Sequence, residues 1–136
     1  MPKFLLLKHY RGAPAAYRPV PPIDQWAPED VEAHMAFLRH VSELLEENGE
    51  YVGAQALTPA RTWVRYGGQD AAPVTTDGPL PETSDLVAGW MMIDVDSHER
   101  AVEVAAYISS EPGPGGGPLH EWIDVREIMS GAPSAD

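Results

Sequence analysis

Apolar and polar residues follow two different periods along the chain, and this pattern predicts a mixed α+β domain. Segments with a two-residue period or a short apolar run are predicted to be strands: residues 3–10, 51–57, 62–66, 73–76, 86–95 and 119–128. In the first of these, Phe4 and Leu6 would face one side and Leu5 and Leu7 the other. A strand that is apolar on both sides is typical of the middle of a covered sheet.

Two further segments have helical spacing. Pro28 suits the first position of a helix, and Gly49 is expected to end that helix as a left-handed cap. Asp96 followed by Glu99 has the spacing of a capping box for a second helix that continues to about Ser109. The stripes predicted to face the sheet are Val31, Met35, Phe37, Leu38, Val41, Leu44 and Leu45 in the first helix and Ala101, Val104, Ala105 and Ile108 in the second.

The order of these elements predicts a ferredoxin-like split βαβ fold, in which two helices pack on one face of an antiparallel sheet. The other face of the sheet is predicted to carry Trp63, Trp90 and Trp122. Soluble monomers rarely expose an apolar patch of that size. We therefore expect a homodimer that closes sheet against sheet.

Length and charge narrow the class of protein. A chain of 136 residues is one domain, expected to span residues 1–129 and to be followed by a frayed tail at 130–136. With 21 acidic and 9 basic residues, the net charge is −12, which argues against nucleic-acid binding. No segment is apolar for long enough to span a membrane. The absence of cysteine excludes disulfides and thiolate zinc sites, and it fits a cytoplasmic protein.

A loop and a glycine-rich segment separate the predicted elements. Residues 11–27 are rich in proline and alanine, and a connection of this length is expected to act as a lid or a partner-contacting segment. Residues 113–118 are glycine-rich, but they lead out of a helix and into a strand. A dinucleotide-binding loop has the reverse order, so this segment is interpreted as a flexible connector.

A polar turn cassette precedes the strongest predicted strand. Asp can bond its own backbone two residues on, Gly tolerates positive φ, and Pro presets φ, so their succession builds a turn. The cassette resembles the signature of the YCII-related family, in its DGPF-type branch, at Asp77, Gly78, Pro79 and Glu82, with Leu80 in place of the usual phenylalanine. The resemblance covers residues 3–128, and it implies a dimeric α/β barrel with no established activity.

The resemblance also implies candidate residues. Asp124 and Arg126 are similar to the acidic-Val-Arg ending of that family. Some relatives have a first-helix histidine paired with an aspartate as a proposed catalytic dyad, which makes His34 and Asp77 the catalytic candidates here. Each has a structural alternative, because His34 lies within an apolar stripe and Asp77 can accept backbone N–H groups in a turn. A buried His34 without a carboxylate partner would have a lowered pKa.

Strand alternation predicts a small-molecule pocket on the uncovered face, with aromatic walls and a few polar groups. The residues assigned to it are His9, Trp90, Asp94, His120, Trp122 and Arg126. No cofactor is expected, and no histidine spacing indicates a metal site. Two functions stay open: a small-molecule binding or accessory protein with a cleft at the dimer interface, or a cofactor-independent enzyme in which His34 or His9 and a carboxylate transfer a proton.

Overall fold

The structure, a computed structural model, describes residues 2–11, 14, 21, 23–77 and 86–130. Its described part contains two α-helices, six strands and two single turns of 3-10 helix. The strands are β1 (Lys3–Arg11), β2 (Tyr51–Ala56), β3 (Trp63–Arg65), β4 (Val74–Thr76), β5 (Leu86–Asp94) and β6 (Asp124–Glu127), and the helices are α1 (Pro28–Glu47) and α2 (His98–Ser109).

Four of the strands form one antiparallel sheet in the order β2-β5-β1-β6. With the helices after the first and third strands of that sheet, this is the ferredoxin-like split βαβ arrangement that the element order predicts. β1 lies in the interior of the sheet, as its two-sided apolar pattern indicates. β3 and β4, which fall within the strands predicted at 62–66 and 73–76, pair with each other in a separate two-stranded antiparallel sheet, the β3–β4 hairpin.

The core lies between the sheet and the two helices, and it is formed by alternate residues of the strands. Phe4, Leu6, Met91, Ile93 and Val95 meet Val41 and Leu45 from α1 and Ala101, Val104, Ala105 and Ile108 from α2. The predicted stripe of α2 is therefore confirmed in full. The stripe of α1 is narrower than predicted, because Met35 and Leu44 are exposed whereas His34, Val41 and Leu45 are buried.

Of the two predicted helix caps, the one at the end of α1 is present as predicted, whereas the one at the start of α2 lies one residue later than predicted. Gly49 follows α1 with a φ of 72°, which confirms the left-handed cap. The N-cap of α2 is Ser97 rather than Asp96, because the Ser97 side chain accepts a hydrogen bond from the Arg100 backbone N–H at 3.1 Å. Arg100 in turn donates to both carboxylate oxygens of Glu50, at 2.8 and 2.9 Å, and joins α2 to the start of β2.

The last strand is shorter than predicted, since β6 begins only at Asp124. The preceding residues bond to the end of α2 instead: the backbone N–H of His120 donates to the Ser109 carbonyl, and the Ser109 hydroxyl donates to the Glu121 carbonyl. His120 also has a positive φ of 52°, which breaks the extended conformation. The prediction that His120 and Trp122 belong to this strand is therefore wrong.

Three predictions concern residues outside the described ones, wholly or in part. Gly78, Pro79 and Glu82 of the turn cassette lie outside them, as do residues 131–136 of the predicted tail. Of the predicted 11–27 loop, the structure describes residues 11, 14, 21 and 23–27, including the 3-10 turn Ile23–Gln25.

We expect Ile93→Ala to lower the free energy of unfolding by about 3 kcal/mol, because Ile93 is fully buried and the truncation leaves a cavity between sheet and helices. The matched control is Val64→Ala in the exposed β3–β4 hairpin, which should change stability by less than about 0.5 kcal/mol. Urea denaturation of both variants measures the difference. Equal losses in the two variants would contradict the assigned core.

Candidate functional site

The uncovered face of the sheet collects residues from three neighbouring strands. Leu5 lies between Met92 of β5 and Arg126 of β6, and Leu7 lies between Trp90 and Asp124. Because directly opposed residues share a face, these side chains form one surface. We call this surface, together with His9 and Asp94 at its two ends, the open face. Trp90, Asp94, Arg126 and His9 thus lie on the face to which the sequence assigned them.

Four other predicted residues, Trp63, His120, Trp122 and Asp77, lie outside the strands of the four-stranded sheet. Trp63 belongs to the separate β3–β4 sheet, so its assignment to the open face is wrong. His120 and Trp122 precede β6 in the segment that bonds to the end of α2, and Trp122 is 56% exposed. Asp77 is exposed and follows the end of β4.

His9 and Asp124 form a pair at one end of the open face. The Nε2 atom of His9 lies 3.3 Å from Oδ2 of Asp124, within hydrogen-bond distance. Since a carboxylate can only accept, the neutral imidazole donates from Nε2 and keeps its lone pair on Nδ1. The His9 side chain is only 9% exposed, and its Nδ1 atom is buried. This atom nevertheless has no hydrogen-bond partner among the described residues.

Asp94 leaves a second polar atom unsatisfied at the opposite end of the open face. Its Oδ1 is buried without a hydrogen-bond partner in the described part of the chain. Asp94 is paired with Lys3 in the β1–β5 register, whereas His9 is paired with Val87 near the other end of β5. The predicted polar groups therefore divide between two ends of the surface and do not converge on one point.

His34 lies on the covered side of the sheet, and it is buried as its place in the α1 stripe predicts. Its Nδ1 donates to the Pro112 carbonyl at 3.0 Å, and the Trp26 ring stands edge-on to the imidazole at 5.3 Å between centroids. Burial lowers the pKa of His34, and the bond to Pro112 only partly opposes this shift. The carboxylate in contact with His34 belongs to Glu111, whose Oε2 lies 3.8 Å from Nε2.

Lys8 and two glutamates complete a group around His34 in which Glu111 is fully buried, whereas the Lys8 and Glu121 side chains are partly buried, at 25% and 32% exposure. The Lys8 ammonium donates to both carboxylate oxygens of Glu111, at 2.7 and 2.8 Å, and lies 3.1 Å from Oε1 of Glu121. The Glu121 contact is an ion pair with poor hydrogen-bond geometry, because this Oε1 has no hydrogen-bond partner among the described residues. We refer to Lys8, His34, Glu111 and Glu121 as the buried cluster. Glu111 is 0% exposed.

The two carboxyl groups of the buried cluster have different pKa values. Burial, reinforced by the hydrogen bond to Glu121, raises the pKa of Glu111 to about 9, and the charge of Lys8 only partly offsets this. Burial would raise the pKa of Glu121 as well, but the hydrogen bond from Glu111 and the Lys8 charge outweigh it and lower that pKa. At neutral pH the carboxyl pair therefore holds one proton, and the pair titrates as a unit.

The sequence analysis overlooked Lys8, Glu111 and Glu121. One signal could have identified Lys8: it alternates with Phe4 and Leu6, so it points to the covered side of the sheet, where an ammonium needs a partner. Nothing in the local sequence assigns that partner, because Glu111 and Glu121 lie in the loop between α2 and β6.

A groove of about 340 Å³ lies between the two helices, on the far side of the core from the open face. Its lining residues are Val41, Leu44, Leu45, Asn48, Arg100, Glu103, Val104 and Tyr107. The charged residues in this set are Arg100, already bonded to Glu50, and Glu103. Its described lining residues include no histidine and no member of the open face or the buried cluster.

Two searches of the described residues were negative. No group of three or more histidine, aspartate or glutamate side chains there is arranged to hold a metal ion. Neither of the described helices combines the length and apolar character needed to cross a membrane.

Comparison of the chain with known proteins adds no assignment. No protein-family model matches it, and no curated protein matches it.

We expect Glu111→Gln to become progressively more stable than the wild type as the pH rises from about 5 to 9. A carboxyl group whose pKa is raised by folding stabilises the protein below its unfolded pKa, and that contribution is lost as the pH approaches its folded value of about 9. Glutamine imitates the neutral form at every pH. The lowered pKa of Glu121 affects stability in the acid range, below this window.

Urea midpoints at about pH 5, 7 and 9 measure this difference. Glu127→Gln, an exposed change on β6, is the control and should follow the wild type at each pH. Midpoints of Glu111→Gln that run parallel to those of the wild type would contradict a protonated Glu111.

Proposed function

We propose that this protein binds a small molecule on the open face, next to the His9–Asp124 pair, in a cleft that a second copy of the chain closes. The observation that carries the proposal is the Nδ1 atom of His9 on that face, which is buried and has no hydrogen-bond partner within the part of the chain that the structure describes. Buried polar atoms are nearly always bonded in folded proteins, so such an atom indicates a missing partner. We further propose membership of the YCII-related family, supported by Asp77, Gly78, Pro79 and Glu82 and by the order of the strands.

The chemistry of the open face restricts the ligand. The Trp90 indole and the side chains of Leu7 and Met92 offer an apolar wall suited to a flat, largely apolar body. The lone pair on His9 Nδ1 would accept a hydrogen bond from an O–H or N–H group of the ligand. A net charge of −12 disfavours strongly anionic ligands and nucleic acids, and the proposed location is the cytoplasm.

The apolar part of the open face supports dimerisation. Leu5, Leu7, Trp90 and Met92 are only partly buried, and α1 and α2 both pack on the opposite side. Gly53 of β2 is paired with Met92, so it extends the same surface onto a fourth strand. A Cβ added at Gly53 would lie 3.9 Å from the Trp90 ring, which is ordinary van der Waals contact. A second sheet packed against this layer would remove it from water.

Light scattering at micromolar concentrations should therefore give about twice the chain mass of 14.8 kDa. Met92→Glu places a charge in the middle of the open face and should yield the monomer. Tyr66→Glu also replaces a large side chain by glutamate, but at an exposed position in the connection between β3 and β4. This control variant should remain dimeric. A wild type that stays monomeric at high concentration would remove the second copy from the proposal.

The ligand prediction can be tested with a library of flat aromatic compounds that carry one hydrogen-bond donor. Hits should perturb the NMR signals of the Trp90 indole and the His9 ring. His9→Phe should weaken their binding by about 10-fold or more, because it removes the acceptor and keeps a ring of similar size. His40→Phe on the exposed side of α1 is the matched control and should bind as the wild type does. Equal affinity in the two variants would exclude His9 from the site.

Proton transfer is the second candidate function, and the 3.3 Å contact between His9 and Asp124 favours it. Asp124 orients the imidazole through Nε2, which leaves Nδ1 as the proton acceptor of a general base. Exchange of the α-hydrogens of small ketones in D₂O, followed by NMR, tests this activity. Asp124→Asn should lower the exchange rate at least about 10-fold, because the amide cannot stabilise the imidazolium. No exchange above the buffer rate would leave binding as the function.

A further inference from the structure

The buried cluster and the His9–Asp124 pair lie back to back at one end of the β1–β6 ladder. The last paired residues of this ladder are Leu7 and Asp124. Beyond that point β1 continues through a register irregularity between Lys8 and His9. Side chains join the two segments there instead: Lys8 contacts Glu121 on the covered side at 3.1 Å, and His9 contacts Asp124 on the open face at 3.3 Å.

The buried cluster also joins this place to the helices. His34 of α1 donates to the Pro112 carbonyl, and the backbone N–H of Leu119 donates to the Glu111 carbonyl. Asp30 accepts from the Gly115 N–H at 3.0 Å. The glycine-containing connector between α2 and β6 is thus hydrogen-bonded to α1 through Pro112 and Gly115 and to β1 through Glu111.

Ligands have no direct access to Glu111, because the side chain is fully buried. Its effect on the rest of the protein must pass through the groups that it holds. We propose that Lys8, Glu111 and Glu121 are positioning residues for the His9–Asp124 pair: the contacts of Lys8 with the two glutamates fix the spacing of β1 and the segment before β6, and this spacing sets the contact on the open face. The relevance of this positioning to ligand binding rests on the proposed function. The coupling between the Lys8–glutamate contacts and the His9–Asp124 contact does not depend on it.

The charge balance gives the direction of the effect. With one shared proton, Lys8 and the remaining carboxylate neutralise each other. Without it, two carboxylates face one ammonium, and the net charge of −1 is buried beside Glu111. Repulsion then separates Glu121 from Glu111 and weakens the contact across Lys8.

The titratable groups that face Glu111 are Lys8 from β1, His34 from α1 and Glu121 from the segment before β6. Burial lowers the pKa of His34, so this imidazole is neutral in the alkaline range and adds no compensating charge. Loss of the proton therefore changes mainly the electrostatic interactions between Lys8 and the two glutamates.

The test follows the ring signals of His9 by NMR in the dimeric or monomeric protein as purified, between about pH 6 and 10. The wild type should show an inflection of these signals in the alkaline range, when the glutamate pair loses its proton. Glu111→Gln should abolish this alkaline inflection, because glutamine cannot lose a proton there. Glu121→Gln serves as the second variant and should abolish it as well.

The control is Glu127→Gln, which removes an exposed carboxylate on β6. This variant should retain the alkaline inflection of the His9 signals. A His9 signal without any alkaline inflection would overturn the proposal, and so would an inflection that persists unchanged in both glutamine variants at Glu111 and Glu121. Failure of the proposed function gives a different result: the inflection and its loss are still measured, but no compound from the aromatic library binds.

Discussion

Successive side chains of β1 point to opposite sides of the sheet, and both helices cover only one side, so this alternation divides the chemistry of the chain in two. Phe4 and Leu6 enter the core, and Lys8, next in the same row, meets the buried carboxyl groups. The alternate row continues from Leu7 to His9 on the open face. β5 and β6 pair directly with β1, and β2 joins the sheet through β5.

The buried cluster is costly by itself, since it removes the Glu111 carboxyl group from water completely and the Lys8 ammonium and Glu121 carboxyl groups in part. Such a group persists only when hydrogen bonds and a matched charge compensate the desolvation. Lys8 supplies the matching charge, a shared proton removes the excess, and the loop between α2 and β6 is ordered around the result. These contacts hold the loop against β1 and α1, ahead of the start of β6 at Asp124.

The open face differs from the buried cluster: it carries apolar side chains together with polar atoms that find no hydrogen-bond partner among the described residues. Trp90 and Met92 need a covering layer, and His9 Nδ1 needs a hydrogen-bond donor. A second copy of the chain would satisfy the first need and a small ligand the second. Lys8 and His9 are adjacent in β1. A change in the charge of the buried cluster would therefore occur one residue away from the proposed binding site.

The sequence alone determined the order of the elements, the interior place of β1, the buried stripe of α2 and the burial of His34, because these follow from the periods of apolar residues. It also placed His9, Trp90, Asp94 and Arg126 on the open face by strand alternation.

Only the tertiary structure decided the start of β6, the displacement of His120 and Trp122 from the sheet, and the meeting of Lys8 with Glu111 and Glu121. These features depend on contacts between residues far apart in the chain. A local pattern carries no information about which distant partner satisfies a buried charge or a backbone hydrogen bond.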